Sequence, residues 1–444
     1  MAITLQQQPT TPNGAYADLL YVATSTNQNQ PQFQFVATIQ ATGSTDVVTL
    51  KQQPNPSGKG VFNMGSIITT LVDYDQPWKT PFVQSSSLSG KTIVTTFAEE
   101  FGTSTSSSVS IVNTITGSKV YIIPAVVEPD SGDWNFPSSS YFTASAAPNV
   151  GTEAYLLQHG LTDSPLSQSI RDDEYQTISI LNGNFNNSTS SAQDIYYIQV
   201  GVFNQSGTNI QNFDWFNLNS GAINGGPRTL NTEEWSDGGV YNGQTDGTKL
   251  LHIAAGPKNF SDAGTPLTSS WYKYSLSVWG QESAGVESNT GRYAQYWFEK
   301  QTPECGYTGT RFAFINEFGV WDYYTFPFAD TIIDSMNRSE YTQTFVDYST
   351  TSNGVTYNKS RRGARVFNED YIQNRVAESG YLIQEDADWL RQLVESPEVF
   401  IQSGTTFLPV VITNSDFTFK TNPRTQKLYR LTLTYKMANQ KRSR

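Results

Sequence analysis

Between Ala15 and about Gln76, apolar and polar residues alternate in short runs, YADLLYVAT, QFQFVATIQA, DVVTLKQ and GVFNMGSIITTLV. In the second run Phe33, Phe35 and Ala37 alternate with polar neighbours, the period of a strand with one buried face. The segments between them, STNQNQPQ and QPNPSGKG, are rich in Pro, Gly and Asn, which mark turns. KTIVTTFAEEF (91–101), SVSIVNTI (108–115) and KVYIIPAVV (119–127) continue the series. Short strands recurring with such punctuation predict an antiparallel β-sandwich, and we expect one over residues 1–135.

A second β-series follows in TISILNG (177–183), DIYYIQVGVFN (194–204), QNFDWFNL (211–218), TKLLHIAAGP (248–257), WYKYSLSVWGQ (271–281) and AQYWFEKQ (294–301). Its connections are long and polar, as in NGNFNNSTSSAQ, and long loops on a sandwich usually carry contacts. This predicts a middle β-rich domain over 136–304. The last third differs: QEDADWLRQLVESP (384–397) has acidic residues in its first turn, Trp389, Leu390, Leu393 and Val394 on one face, and Pro397 beyond its end, the marks of a helix. Strand-like EVFIQ, TFLPVVITN, DFTFKT and KLYRLTLTYKMA follow, with KTNPRTQK as a hairpin connection. The expected fold is therefore mainly β, with two antiparallel sandwich-like domains and a small α+β C-terminal domain over 305–444.

Only 15% of residues are charged and 13% are aromatic, too aromatic for a disordered chain. The opening MAITLQQQPTTPNGAYADLL has no basic region leading into an apolar one, and no window approaches the roughly 18 apolar residues of a spanning helix. The expectation is neither a secretory signal nor a membrane span. Cys305 is the only cysteine, which excludes an intrachain disulfide and a thiolate metal cluster. The sequons at Asn186 and Asn259 carry no weight without secretion.

Charge is unevenly spread. Residues 1–350 hold 14 Lys/Arg against 31 Asp/Glu, a net of −17, and residues 351–444 hold 14 against 9, a net of +5. Nucleic acid is a poor partner, because most of the surface would repel phosphate. The basic residues Arg361, Arg362, Arg365, Lys436, Lys441, Arg442 and Arg444 are instead candidates to meet acidic surface on another subunit, the alternative being a solvated loop and tail.

Candidates for chemistry are few. His252 falls inside an apolar strand and reads as a satisfied sheet residue, while His159 before Gly160 reads as a turn. No nucleophile elbow G-x-S-x-G accompanies either. Acidic groups at Glu99 and Glu100, at Asp172 to Glu174, and at Glu233, Glu234 and Asp237 could in principle flank a sugar, but 40 acidic residues make such local pairs common. DSGDWN (130–135) lacks the glycine and terminal glutamate of an EF-hand loop, and no phosphate-binding or dinucleotide fingerprint is present. We therefore expect no catalytic set, no metal and no cofactor.

RFAFINEFGVWDYYTFPF, Arg311 to Phe328, has eight aromatic residues in eighteen. Phe312, Phe314, Asn316 and Phe318 fall on one face and Arg311, Ala313, Ile315 and Glu317 on the other, so both faces hold apolar groups and a strand covered on both sides is expected. Gly319 then permits a bend. Trp321, Tyr323 and Tyr324 are candidates for a subunit interface, whose cores are enriched in aromatics. Trp215 and Trp235, in or beside the long middle loops, are candidates for stacking on glycans.

Three segments together resemble a family of uncharacterised structural virion proteins of tailed bacteriophages. They are the F-x-N-x-x-G-x-W-D run of Phe314 to Asp322, the segment ESGYLIQEDADWLRQLVESPEVFIQ, and the closing LPVVITNSDFTFKTNPRTQKLYRLTLTYKMA. NPSGKGVF (55–62) and Gly256-Pro257 match the same family more loosely. The likeness covers roughly 305–440, is patchy over 15–75 and is absent from most of the middle. It implies a non-catalytic part of the neck, tail or baseplate, one copy in a ring or adaptor. Its partners would be other copies of itself and neighbouring tail, neck or portal proteins, assembled into the virion in the host cytoplasm. A host-receptor or carbohydrate-binding virion protein is the alternative, and a polysaccharide depolymerase a weaker one.

Overall fold

Buried peptide groups must find hydrogen-bond partners, and alternating β-branched and aromatic residues meet that demand in sheets. In the computed structural model, which describes residues 3–9, 11–80, 82–126, 160–181, 195–217, 232–235, 250–283, 286–302, 307, 309–328, 330–344, 346–348, 354–357, 360, 363–413 and 429–439, the chain is mainly β with several sheets. It forms two compact units, one of residues 1–302 with 315–323, the other of 303–314 with 324–444.

In the first unit, Ile3–Gln7, Leu20–Ser25 and Lys59–Asn63 form a three-stranded antiparallel sheet. A second sheet is ordered Asn13–Gly14, Val120–Ile123, Lys91–Phe101, Gln34–Ala41, Val47–Gln52, with Ser110–Thr116 also paired to Lys91–Phe101. Tyr21 and Phe62 from the first sheet share one core with Phe35, Phe97 and Ile122 from the second. The run GVFNMGSIITTLV is strand only through Asn63 and then turns into the short helix Gly65–Ile68.

Further along the same unit, Ile195–Phe203 pairs on one side with Asn209–Asn217 and on the other with Lys273–Ser283, which pairs with Val286–Lys300. Thr177–Leu181, Leu250–Ala254 and Val83–Ser85 make a smaller antiparallel sheet. Gly256-Pro257 ends that chain segment and opens the helix Pro257–Asp262, Pro at the first helical position needing no donor there. Phe260 of this helix packs on Phe213, Trp215 and Tyr274.

The sheet that carries the second unit runs in the order Trp321–Phe326, Thr310–Ile315, Val399–Ser403, Thr406–Ile412, Thr432–Met437, Ala364–Glu378 and Thr331–Thr342. The helix Gln384–Glu395 buries Ala387, Trp389, Leu390 and Leu393, the face expected from its sequence, and carries Glu385 and Asp386 in its first turn. It ends at extended Ser396, because the residue before a proline is disfavoured in the helical region. Apolar periodicity does not mark the two long strands Thr331–Thr342 and Ala364–Glu378. DFTFKT and KTNPRTQK lie outside the described residues. Among the described residues no helix is long and apolar enough to cross a membrane.

Candidate interaction surface

The aromatic run forms the strands Thr310–Ile315 and Trp321–Phe326, joined by a tight turn. Asn316 Oδ1 accepts from the backbone N–H of Phe318 at 3.0 Å and of Val320 at 3.2 Å, and Gly319 takes φ +75°. A side chain at 319 would also meet the Pro124 carbonyl oxygen at 2.2 Å, so only glycine fits this turn. Residues 311–315 are all buried, as a strand with two apolar faces should be.

Burial corrects the interface expectation for two of its aromatics. Trp321 is 1% exposed and Tyr323 2%. The Trp321 indole sits edge-on to Trp78 at 5.1 Å and donates to the Asp75 carbonyl, while the Tyr323 hydroxyl is 2.7 Å from Thr177 Oγ1. Both rings are spent on the chain's own interior. Tyr324 is partly buried against Phe326 and Trp389, and its phenol is pushed to a higher pKa by burial and then by the Asp386 charge.

Trp215 is fully buried, packed on Phe82, Phe213 and Phe260, which leaves no ring face for a sugar. Trp235 ends the strand Thr232–Trp235, opposite Asn217, and its side chain lies outside the described residues. Arg365 is exposed on Ala364–Glu378, opposite Tyr341. Lys436 is half-buried between Asn374 and Val411. Arg361, Arg362, Lys441, Arg442 and Arg444 lie outside the described residues, as do His159 and the DSGDWN stretch.

One buried polar row does have the order of a hydrolytic triad. Ser179 Oγ lies 2.8 Å from His252 Nδ1, a contact made between directly paired strands, and His252 Nε2 lies 3.4 Å from Asp75 Oδ2. All three residues are at most 3% exposed. The Asp75 carboxylate is already enclosed by the hydroxyls of Ser86 and Ser87 and the backbone N–H groups of Ser87, Leu88 and Ser89. Burial works to raise its pKa, but hydrogen bonds from His252, Ser87, Ser86 and Ser89 outweigh it and hold the group well below the usual carboxylate range. With its acceptor sites filled and its members shielded from solvent, the row ties the 86–89 loop to the sheet. His252 is thus a satisfied sheet residue.

The acidic candidates are similarly engaged. Buried Glu99 accepts from Ser25, from Asn27 at 2.9 Å and from Asn113 at 2.8 Å, and Glu100 pairs with Lys51 at 2.7 Å. Asp172 accepts from the Trp271 indole at 2.6 Å and pairs with Lys300 at 2.8 Å. Glu174 is buried and accepts from the Arg171 N–H at 3.0 Å. Glu233 and Glu234 are described in backbone only, and Asp237 lies outside the described residues. Among the described residues no group of three or more His, Cys, Asp or Glu is placed to hold a metal.

Unpartnered apolar surface is concentrated elsewhere. Thr331–Thr342 is exposed along its whole length, and with Ala364–Glu378 it forms an antiparallel ribbon. Ile332, Met336 and Tyr371 are exposed on one face, Ile333 and Ile372 on the other, and Phe367 is 69% exposed at a bulge in Ala364–Glu378. Exposed clusters of this kind mark interaction surfaces. Apolar residues recurring in TIIDSMNRSEYT and ARVFNEDYIQNRVAE were the sequence signal for it, weakened by the charges interleaved among them. Compared with known protein families and with curated proteins, the chain matches none.

Proposed function

We propose that the protein is a structural component of a tailed-bacteriophage virion, a ring or adaptor subunit of the neck, tail or baseplate that acts by assembly without catalysis. Its partners are other copies of itself and neighbouring tail, neck or portal proteins, and its place is the virion, assembled in the host cytoplasm. The observation that carries the assembly reading is the ribbon of Thr331–Thr342 and Ala364–Glu378, whose apolar side chains face solvent on both sides. Leaving Ile332, Ile333, Met336 and Phe367 in water is unfavourable in an isolated chain, and covering them in an assembly removes that cost. The phage assignment is supported by the three sequence segments over roughly 305–440.

The fold reading that accompanies it is two antiparallel β-sandwich-like domains followed by a small α+β domain. Separate cores around Phe35 and Phe97 and around Trp215 and Phe260 support the first two, and the packing of Trp389 against Phe314 supports the third. Mass spectrometry of purified virions tests the function: the protein should be present in multiple copies, and its absence would overturn the assignment.

A further inference from the structure

Thr331–Thr342 is the terminal strand of its sheet: Ala364–Glu378 pairs with one edge, and among the described residues nothing pairs with the other. Such an edge presents a row of free backbone donors and acceptors, which proteins ordinarily blunt by shortness, proline, bulges or a covering element. This strand is twelve residues long and contains no proline. Its one register shift places the extra residue, Phe367, on the inner partner strand, so the outer strand stays regular. All twelve residues are exposed.

We infer that this edge pairs with the same edge of a second copy of the chain, antiparallel, about a two-fold axis at Met336. Two identical strands can exchange backbone hydrogen bonds only if their outward-facing residues are in step, which places the axis on a residue. Ile332, Asp334, Met336, Arg338 and Glu340 follow at the two-residue period of one face. An axis at Met336 sets Asp334 opposite Arg338 of the second copy and Arg338 opposite its Asp334, with the two Met336 side chains meeting between them. Neighbouring registers lose this. An axis at Asp334 or Arg338 puts a charge against itself, and one at Asn337 opposes Asp334 with Glu340. One at Ser335 leaves both charges facing uncharged residues. An axis at Ser339 also sets Arg338 opposite Glu340, but it pairs only residues 336–342, whereas an axis at Met336 pairs 331–341. Charge complementarity together with the length of strand paired therefore selects the Met336 register, since opposite charges across strands stabilise and like charges destabilise.

The side chains are already held for this arrangement. Arg338 pairs with Glu369 at 3.1 Å, and Asp334 accepts from Tyr371 at 2.7 Å and Gln373 at 3.0 Å, all on the same ribbon. Pairing by this edge would bury Met336, 51% exposed in the single chain, and join two sheets into one continuous sheet across the axis. The inference rests on the assembly reading only in requiring self-association, and names which contact makes it.

The test uses the full chain in a Cys305→Ser background. Residues directly opposite lie with Cα atoms about 4.5–5.5 Å apart, within disulfide reach, so Met336→Cys should give a covalent dimer on mild oxidation. Ser335→Cys should not, because its two copies would stand two residues out of register, beyond the roughly 7 Å limit. Asp334→Arg and Arg338→Asp should each weaken dimerisation about tenfold, as two attractive pairs turn repulsive, and the two together should restore it. Restoration by the double variant cannot come from misfolding. Self-association without Met336→Cys cross-linking, and indifferent to both reversals, would overturn the edge pairing and leave the assembly reading intact. A monomer at every concentration would overturn both. Cross-linking by a protein absent from virions would uphold the pairing and overturn the phage assignment.

Discussion

The indole N–H of Trp321 donates to the backbone carbonyl of Asp75, 246 positions earlier in the chain. One residue thereby joins the aromatic run to the residue whose carboxylate gathers the 86–89 loop. Trp321→Ala should destabilise the protein by about 3–5 kcal/mol, the cost of emptying a large buried site. Trp321→Phe should cost about 1–3 kcal/mol, mainly because the Asp75 carbonyl loses its donor. Denaturant midpoints separate the two.

Asp75 governs the acid limit. Its folded pKa lies below the value of about 3.9 for an unfolded aspartate. The group's contribution is therefore complete above about pH 5 and is lost as the pH falls through the unfolded value toward the folded one. Asp75→Asn should remove that acid dependence and cost at least about 2 kcal/mol at neutral pH, since buried donors lose their charged acceptor. Thermal melts from pH 2 to pH 7 on both proteins measure this directly.

Gly319→Ala should lower the melting temperature even though the side chain added is one methyl. A left-handed conformation costs a non-glycine residue about 1–2 kcal/mol, and here the new Cβ also meets the Pro124 oxygen at 2.2 Å. Gly207, left-handed with open space around it, is the control: Gly207→Ala should show the conformational cost alone.

On the ribbon the signs reverse. Ile332→Ser together with Ile333→Ser should leave the stability of the single chain within about 0.5 kcal/mol, because both side chains are already in solvent. Self-association, followed by light scattering against concentration, should weaken. Unchanged association would remove these residues from the interface.

Trp215→Ala should behave as a core truncation, losing about 3–5 kcal/mol of stability. A fully stable variant that had lost glycan binding would contradict the packing of Trp215 against Phe213 and Phe260.

Local pattern was enough to establish the β character of the chain, the buried face of Gln384–Glu395 and the two apolar faces of Arg311 to Ile315. Each depends on a period of two or 3.6 that neighbouring residues impose on one another. Period fixes which residues share a face but not what covers it. Only the tertiary structure placed Trp321 against Asp75, Trp215 inside a core and His252 between Ser179 and Asp75, because those partners are brought together by strand pairings between distant segments. The same holds in reverse for Thr331–Thr342: its apolar residues fall on both faces without a period, and its position at the end of the sheet order is what leaves it in solvent with an edge that nothing pairs among the described residues.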